Sequence, residues 1–176
     1  MGGIMKIAIL MLAFFTLGAF AQKDGKLKIQ QIKNATVHCV AYDTTIKLKN
    51  GKFLLDETTE EGFRNYLEVS LVEDKIAFGD VDGDGDEDAV IILASTGGGS
   101  GYFYEVGVIL NQNGKPEYLT GEVLGDRVKV NFVKILSDRS ILIDMVVHGE
   151  DDPMCCPSTP KIIRYKVARG KLKEID

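Results

Sequence analysis

The stretch that most constrains this chain is Gly79-Asp80-Val81-Asp82-Gly83-Asp84-Gly85-Asp86-Glu87-Asp88, which runs straight into Ala89-Val90-Ile91-Ile92-Leu93. Five aspartates and one glutamate fall within nine residues, and like charges that close repel by ~1 kcal/mol per pair even in bulk water. A bound cation removes that cost; the alternative is a solvated acidic turn. Counting Asp80 as position 1 puts carboxylates at positions 1, 3, 5 and 9, the Asp86 carbonyl at 7 and Gly85 at 6. Those positions supply the hard oxygen ligands of calcium loops, with glycine where the chain turns sharply. Starting at Asp82 would instead put Glu87 at the turn position and Val90 at a ligand position. Asp80, Asp82, Asp84, Asp86 and Asp88 are therefore the candidate ligands of one Ca2+ site. Ca2+ is preferred to Mg2+ because many carboxylates sit on a flexible, glycine-containing backbone.

The loop is not an EF-hand, because position 12 is Ile91 where a bidentate glutamate belongs, and Ala89 to Ala94 is a β-type apolar run where a helix should follow. A D-x-D-x-D-G-x-x-D loop leading into a strand resembles the calcium loops of FG-GAP and VCBS-type β-repeats and integrin propeller blades. Propellers need several copies, and this chain carries one. The resemblance thus covers about fifteen residues and implies the metal site, not a propeller.

At the N-terminus, Ile7 to Phe20 is an unbroken run of apolar and small residues, preceded by Lys6 and ended by Ala19-Phe20-Ala21. This is the pattern of a secretory signal peptide over residues 1–21, cleaved after Ala21. It is too short to span a bilayer, which takes ~20 apolar residues, and no Cys beside the cleavage site offers a lipid anchor. The expectation is a periplasmic or secreted protein with no transmembrane segment after cleavage. Losing Lys6 leaves 20 basic against 26 acidic residues and a net charge of −6, with no Lys/Arg cluster, so nucleic acid is not an expected partner. Residues 22–176 are the size of one domain, expected to be monomeric.

Within that domain Ile29 to Tyr42 is ambiguous between a short helix and a strand, with Thr36 to Tyr42 favouring a strand. Thr45 to Lys49 and Lys52 to Asp56 flank Asn50-Gly51, a strong hairpin signal. Tyr66 to Val72 alternates as a strand. Further pairs are expected between Ala89–Ser95 and Tyr102–Leu110, Asp126–Leu136 and Ser140–Val147, and Lys161–Ala168 and Lys171–Ile175, with Glu117 to Val123 as another strand. About nine short strands, little helix and no alternating βα pattern predict a single antiparallel all-β domain, a two-layer meander or barrel-like.

Other constellations are weaker. Ser95-Thr96-Gly97-Gly98-Gly99-Ser100-Gly101 lacks the Gly-Lys-[Ser/Thr] ending of a phosphate loop and precedes a strand, so it reads as a flexible connection. Tyr102, Phe103 and Tyr104 beyond it read as core aromatics before a binding surface. In an exported chain thiols tend to be oxidised. The possible pairings are Cys39 with Cys155, Cys39 with Cys156, or a vicinal Cys155–Cys156 bridge. A Cys39 pairing is favoured because it would close a loop of over 110 residues, worth up to ~4.7 kcal/mol. His38, Cys39, His148, Cys155 and Cys156 could instead form a Zn2+ or copper site, but their spacing matches no zinc motif. No G-x-S-x-G or H-E-x-x-H carries a known catalytic mechanism.

The series Gly79-Asp80 to Asp88-Ala89-Val90, Gly98-Gly99-Ser100-Gly101 with Phe103-Tyr104, Leu124-Gly125-Asp126-Arg127-Val128, and Asp151-Asp152 with Cys155-Cys156-Pro157 and Tyr165 resembles small secreted bacterial proteins and lipoproteins of the LppP/LprE kind. The resemblance spans roughly residues 66 to 175 and implies no established activity. This chain departs from the lipoprotein members by lacking the lipidated Cys.

The leading expectation is an exported, calcium-binding β-domain acting as a non-enzymatic interaction or envelope structural module, its partner a protein or glycan of the envelope. The alternative is a calcium-dependent envelope hydrolase or sugar-processing enzyme, which needs two carboxylates outside the loop, such as Glu105, Glu117, Glu122 or Asp144, facing one cleft. Finally, Arg127 is expected opposite Glu150 and near Asp151, if residue pairs across the Asp138 turn sum to about 277, and so to clamp the Pro/Cys loop through a carboxylate.

Overall fold

Residues Asp88 to Ser95 are shielded from solvent at every position, and the reason is that both faces of this strand are covered. In the computed structural model, which describes residues 25–176, the elements run α1 (Ile29–Ile32), β1 (Thr36–Cys39), β2 (Thr44–Lys47), β3 (Lys52–Thr58), β4 (Arg64–Leu71), β5 (Ala77–Gly79), β6 (Asp88–Thr96), β7 (Phe103–Gln112), β8 (Lys115–Asp126), β9 (Lys129–Ile135), β10 (Ile141–Val147), β11 (Thr159–Ala168) and β12 (Lys171–Ile175). The expected leader, residues 1–21, lies outside the described residues. The all-β class holds, with twelve strands in place of about nine. All pairings are antiparallel, and no sheet closes into a barrel.

The central sheet has the order β3-β4-β6-β7-β8, with β5 also on β6. Both β4 and β5 pair the same edge of β6: Leu71 lies opposite Leu93, and Ala77 opposite Val90. They behave as one strand interrupted by a 3-10 turn at Glu73–Lys75. One face of the sheet packs Ala89, Ile91 and Leu93 against Ile32, Val37, Ile46 and Leu48 of the layer made by α1 and the β1–β2 pair. The opposite face packs Val90, Ile92, Val106 and Val108 against Ile141, Ile143, Met145 and Ile163 of a four-stranded sheet ordered β12-β11-β10-β9. The result is three layers with two cores and β6 between them. A strand buried on both faces has no use for polar alternation, which is why its sequence reads as a continuous apolar run.

Two sequence expectations change. Asn50 and Gly51 do form the tight turn, at φ 52° and 81°, and Lys49 and Lys52 exchange backbone hydrogen bonds of 2.8 and 3.2 Å. The pairing stops there, at a single bridge. β2 joins β1 and β3 joins β4, although Ile46 and Leu48 on one arm and Phe53 and Leu55 on the other pack on the same first core. In the β9–β10 pair, Ile141 faces Ile135, and after a bulge Met145 faces Val130, so the register runs one and then two residues short of the expected one. Tyr104 packs on the second core, while Tyr42 and Phe103 meet edge-to-face at 6.2 Å.

Candidate metal centre

The acidic loop spans the turn from β5 to β6, and its shape is set by its last residue. Asp88 is 1% exposed. Its Oδ2 accepts the Val81 amide at 3.0 Å and its Oδ1 accepts the Asn111 amide at 2.9 Å. Val81 in turn is buried in the second core, so the loop is fixed where it leaves β5 and where it enters β6. Between these points the side chains fold onto the backbone: Asp80 Oδ1 accepts Gly83 N at 2.6 Å, Asp82 Oδ1 accepts Asp84 N at 3.1 Å, and Asp84 Oδ1 accepts Asp86 N at 2.8 Å. Gly83 sits at φ 94° with the Arg139 guanidinium against it, so a Cβ there would meet both a strained backbone and that side chain.

Of the five predicted ligands the structure brings three together: carboxylate oxygens of Asp80, Asp82 and Asp88 lie within 4.8 Å of one another. Calcium–oxygen bonds of about 2.3–2.6 Å put opposite ligands of one sphere ~5 Å apart, so the three oxygens are close enough to share an ion. Asp84 and Asp86 do not belong to this group. The donors are hard oxygens, which suits Ca2+ or Mg2+ before a soft metal. Burial pushes the Asp88 carboxyl up from the usual carboxylate range, the two backbone amides pull it down, and the charges of Asp82 and Asp84 raise it further. Positive charge stands nearby: Lys26 lies 3.8 Å from Glu87, and Arg139 walls a hollow of about 430 Å³ together with Gly79, Asp80 and Gly83. Sequence reading missed Arg139, since it lies in the β9–β10 turn and meets the loop only through the packing of β5 on β9.

The other candidate residues are dispersed. Cys155 and Cys156 are bonded to each other, and Cys39 is free and fully buried. The favoured Cys39 pairing is thereby overturned, and the reason is topological. Cys39 points into the first core, while the Cys155–Cys156 loop joins β10 to β11 of the sheet that covers the opposite face. For the same reason the soft-metal set does not assemble: His38 lies beside Thr45 and Asp43, each at 3.3 Å, while His148 follows β10. Among the described residues, no other group of three His, Cys, Asp or Glu side chains converges.

The carboxylates of the hydrolase alternative stand in different settings. Glu105 is fully buried, with the Ala41 amide donating to its Oε2 at 3.0 Å and the Cys39 thiol 4.0 Å away. Burial raises its pKa above the usual range, against the Val40 and Ala41 amides that lower it. Glu117 lines a cleft of about 670 Å³ between β1 and β8, with His38 and Tyr118. Glu122 is exposed on β8. Asp144, on β10, accepts a hydrogen bond from Asn131 at 2.5 Å.

Arg127 does anchor the Pro/Cys loop, but through backbone. Its guanidinium donates to the carbonyls of Met154, at 2.9 Å, and Ser100. Among the described residues its carboxylate partner is its neighbour Asp126, at 3.4 Å, not Glu150, Asp151 or Asp152. The register shift described above moves Arg127 off those acids. Asp126 also accepts the Tyr102 amide at 2.7 Å, so the glycine-rich loop, the β8–β9 turn and the Pro/Cys loop meet in one knot. Set beside known proteins, the chain matches no family model, no curated protein and no solved structure. No helix of the described residues is long and apolar enough to cross a membrane.

Proposed function

We propose that this protein is an exported β-domain that binds one Ca2+ in the 80–88 loop and works as a non-enzymatic interaction or envelope structural module. The observation that carries the reading is the convergence of Asp80, Asp82 and Asp88 on a loop held by the buried end of β6. Asp80 and Asp82 flank the buried Val81, and Asp88 holds the Val81 amide from the start of β6. The calcium ion would remove the mutual repulsion of the loop carboxylates and tie the β5–β6 turn down. Of the four acids of the hydrolase alternative, Glu105 is fully buried and Asp144 lies on β10 of the other sheet, which favours a binding role over a calcium-dependent hydrolase.

Calorimetric titration with CaCl2, and with MgCl2 as the comparison, tests the proposal. Extracellular calcium modules bind at ~10⁻⁴–10⁻³ M, and a saturable heat in that range is expected for the natural chain and absent from the Asp80→Ala/Asp82→Ala variant. Identical traces for the two proteins would sink it.

A further inference from the structure

The Cys155–Cys156 bridge joins neighbours in sequence, which is an unusual use of a disulfide. A structural disulfide stabilises chiefly by restricting the unfolded chain, and that gain grows with the loop it closes. Adjacent cysteines close the smallest loop a chain can make. The loop that carries the pair is held by other means: Asp152 accepts the Gly149 amide at 2.8 Å, the Ser158 amide at 2.7 Å and the Ser158 hydroxyl at 2.7 Å. Cys156 N donates to Pro153 O at 2.9 Å, and Arg127 grips the Met154 carbonyl from outside. Loop closure is therefore provided without the sulfurs.

Both cysteines are exposed, and so is Met154 beside them, at 65%. The third cysteine, Cys39, is 0% exposed on the far side of the central sheet. The pair thus stands open to an attacking thiolate and has no internal thiol with which to exchange.

We infer that Cys155–Cys156 is a reversible two-electron exchange site for an external dithiol, presented on the knot that Arg127 and Asp126 form. A thiolate of the dithiol attacks one sulfur, the S–S bond breaks, and the other cysteine leaves as a thiolate and takes up a proton. The second thiol of the donor, as thiolate, then displaces the first cysteine from the mixed disulfide. The dithiol is oxidised to its disulfide, and Cys155 and Cys156 become two thiols. Exposed disulfides are the labile ones, whereas buried structural ones resist reduction.

The experiment treats the folded chain with dithiothreitol in the absence of denaturant, quenches with N-ethylmaleimide, and maps the label by peptide mass. Two labels on the Cys155–Cys156 peptide and none on Cys39 are expected. Both should be lost again when the reduced protein is returned to oxidised dithiothreitol before quenching, and Tm should change by less than about 4 °C between the two forms. Labelling of the pair only after denaturation would overturn the inference, as would full labelling without any reductant. So would a fall in Tm of about 10 °C or more on reduction, the mark of a long-loop staple. The Cys155→Ser/Cys156→Ser variant supplies an independent reading: an unchanged melting curve supports the inference, and a protein that no longer folds contradicts it.

Discussion

Glu105 and Asp88 are both buried acids, yet they are solved differently. Asp88 has a backbone amide on each oxygen, while Glu105 Oε1 is buried with no hydrogen-bond partner. An acid whose folded pKa lies above its unfolded value contributes most below the unfolded value, 4.5 for this Glu, and that contribution is lost as pH rises toward the folded value. Glu105→Gln should therefore raise Tm at pH 7.5 by about 2–4 °C, with the gain shrinking toward zero near pH 4, as followed by thermal melts across that range. At Asp88 the opposite outcome holds. Asp88→Ala strands the Val81 and Asn111 amides at ~1–3 kcal/mol each, and melts run in EDTA should fall by at least about 4 °C, which separates its structural duty from any metal. Neither role could be seen locally in the sequence: Asp88 read as one more loop carboxylate and Glu105 as a candidate acid of a hydrolase cleft, and only the fold puts Asn111 beside the first and Cys39 beside the second.

Among the elements, the strands were legible and their partners were less so. The apolar run after Asp88, the turns at Asn113-Gly114, Asp138-Arg139 and Arg169-Gly170, and the hairpins they join follow from period-two patterning and from residues that accept positive φ. The Asn50-Gly51 turn was equally plain, but turn chemistry fixes a reversal of the chain and not which sheet each arm joins. The interruption of β4 and β5 was invisible too, since only pairing to β6 shows that they continue one another. Ile91 is fully buried in the first core, so Ile91→Ala should cost about 2–5 kcal/mol by denaturant melt. Arg127→Met removes two carbonyl clamps, roughly 1–2 kcal/mol, and should speed limited proteolysis within residues 97–101 and 149–158 while β6 stays intact.

At the scale of the molecule, the acidic loop and the Pro/Cys loop were both visible in the sequence, but not their arrangement. They occupy opposite ends of the central sheet, because β6 runs from Asp88 at one end to the glycine-rich loop at the other, nine residues or about 30 Å. If calcium binds only the folded chain at ~10⁻⁴–10⁻³ M, then 10 mM CaCl2 stabilises by about 1.4–2.7 kcal/mol, and Tm should rise by roughly 3–10 °C in scanning calorimetry, with no rise in Asp80→Ala/Asp82→Ala. The three-layer burial of β6 has one more consequence. It is covered on both faces and paired to β7 on one edge and, on either side of the Glu73–Lys75 interruption, to β4 and β5 on the other, so the amide protons of Val90 to Leu93 trade with deuterium only when the entire domain opens. Calcium held at Asp88 would slow those four protons together by the same factor, about 10–100 under these conditions, while opening the sulfur bridge at the other end would leave their clock almost unchanged.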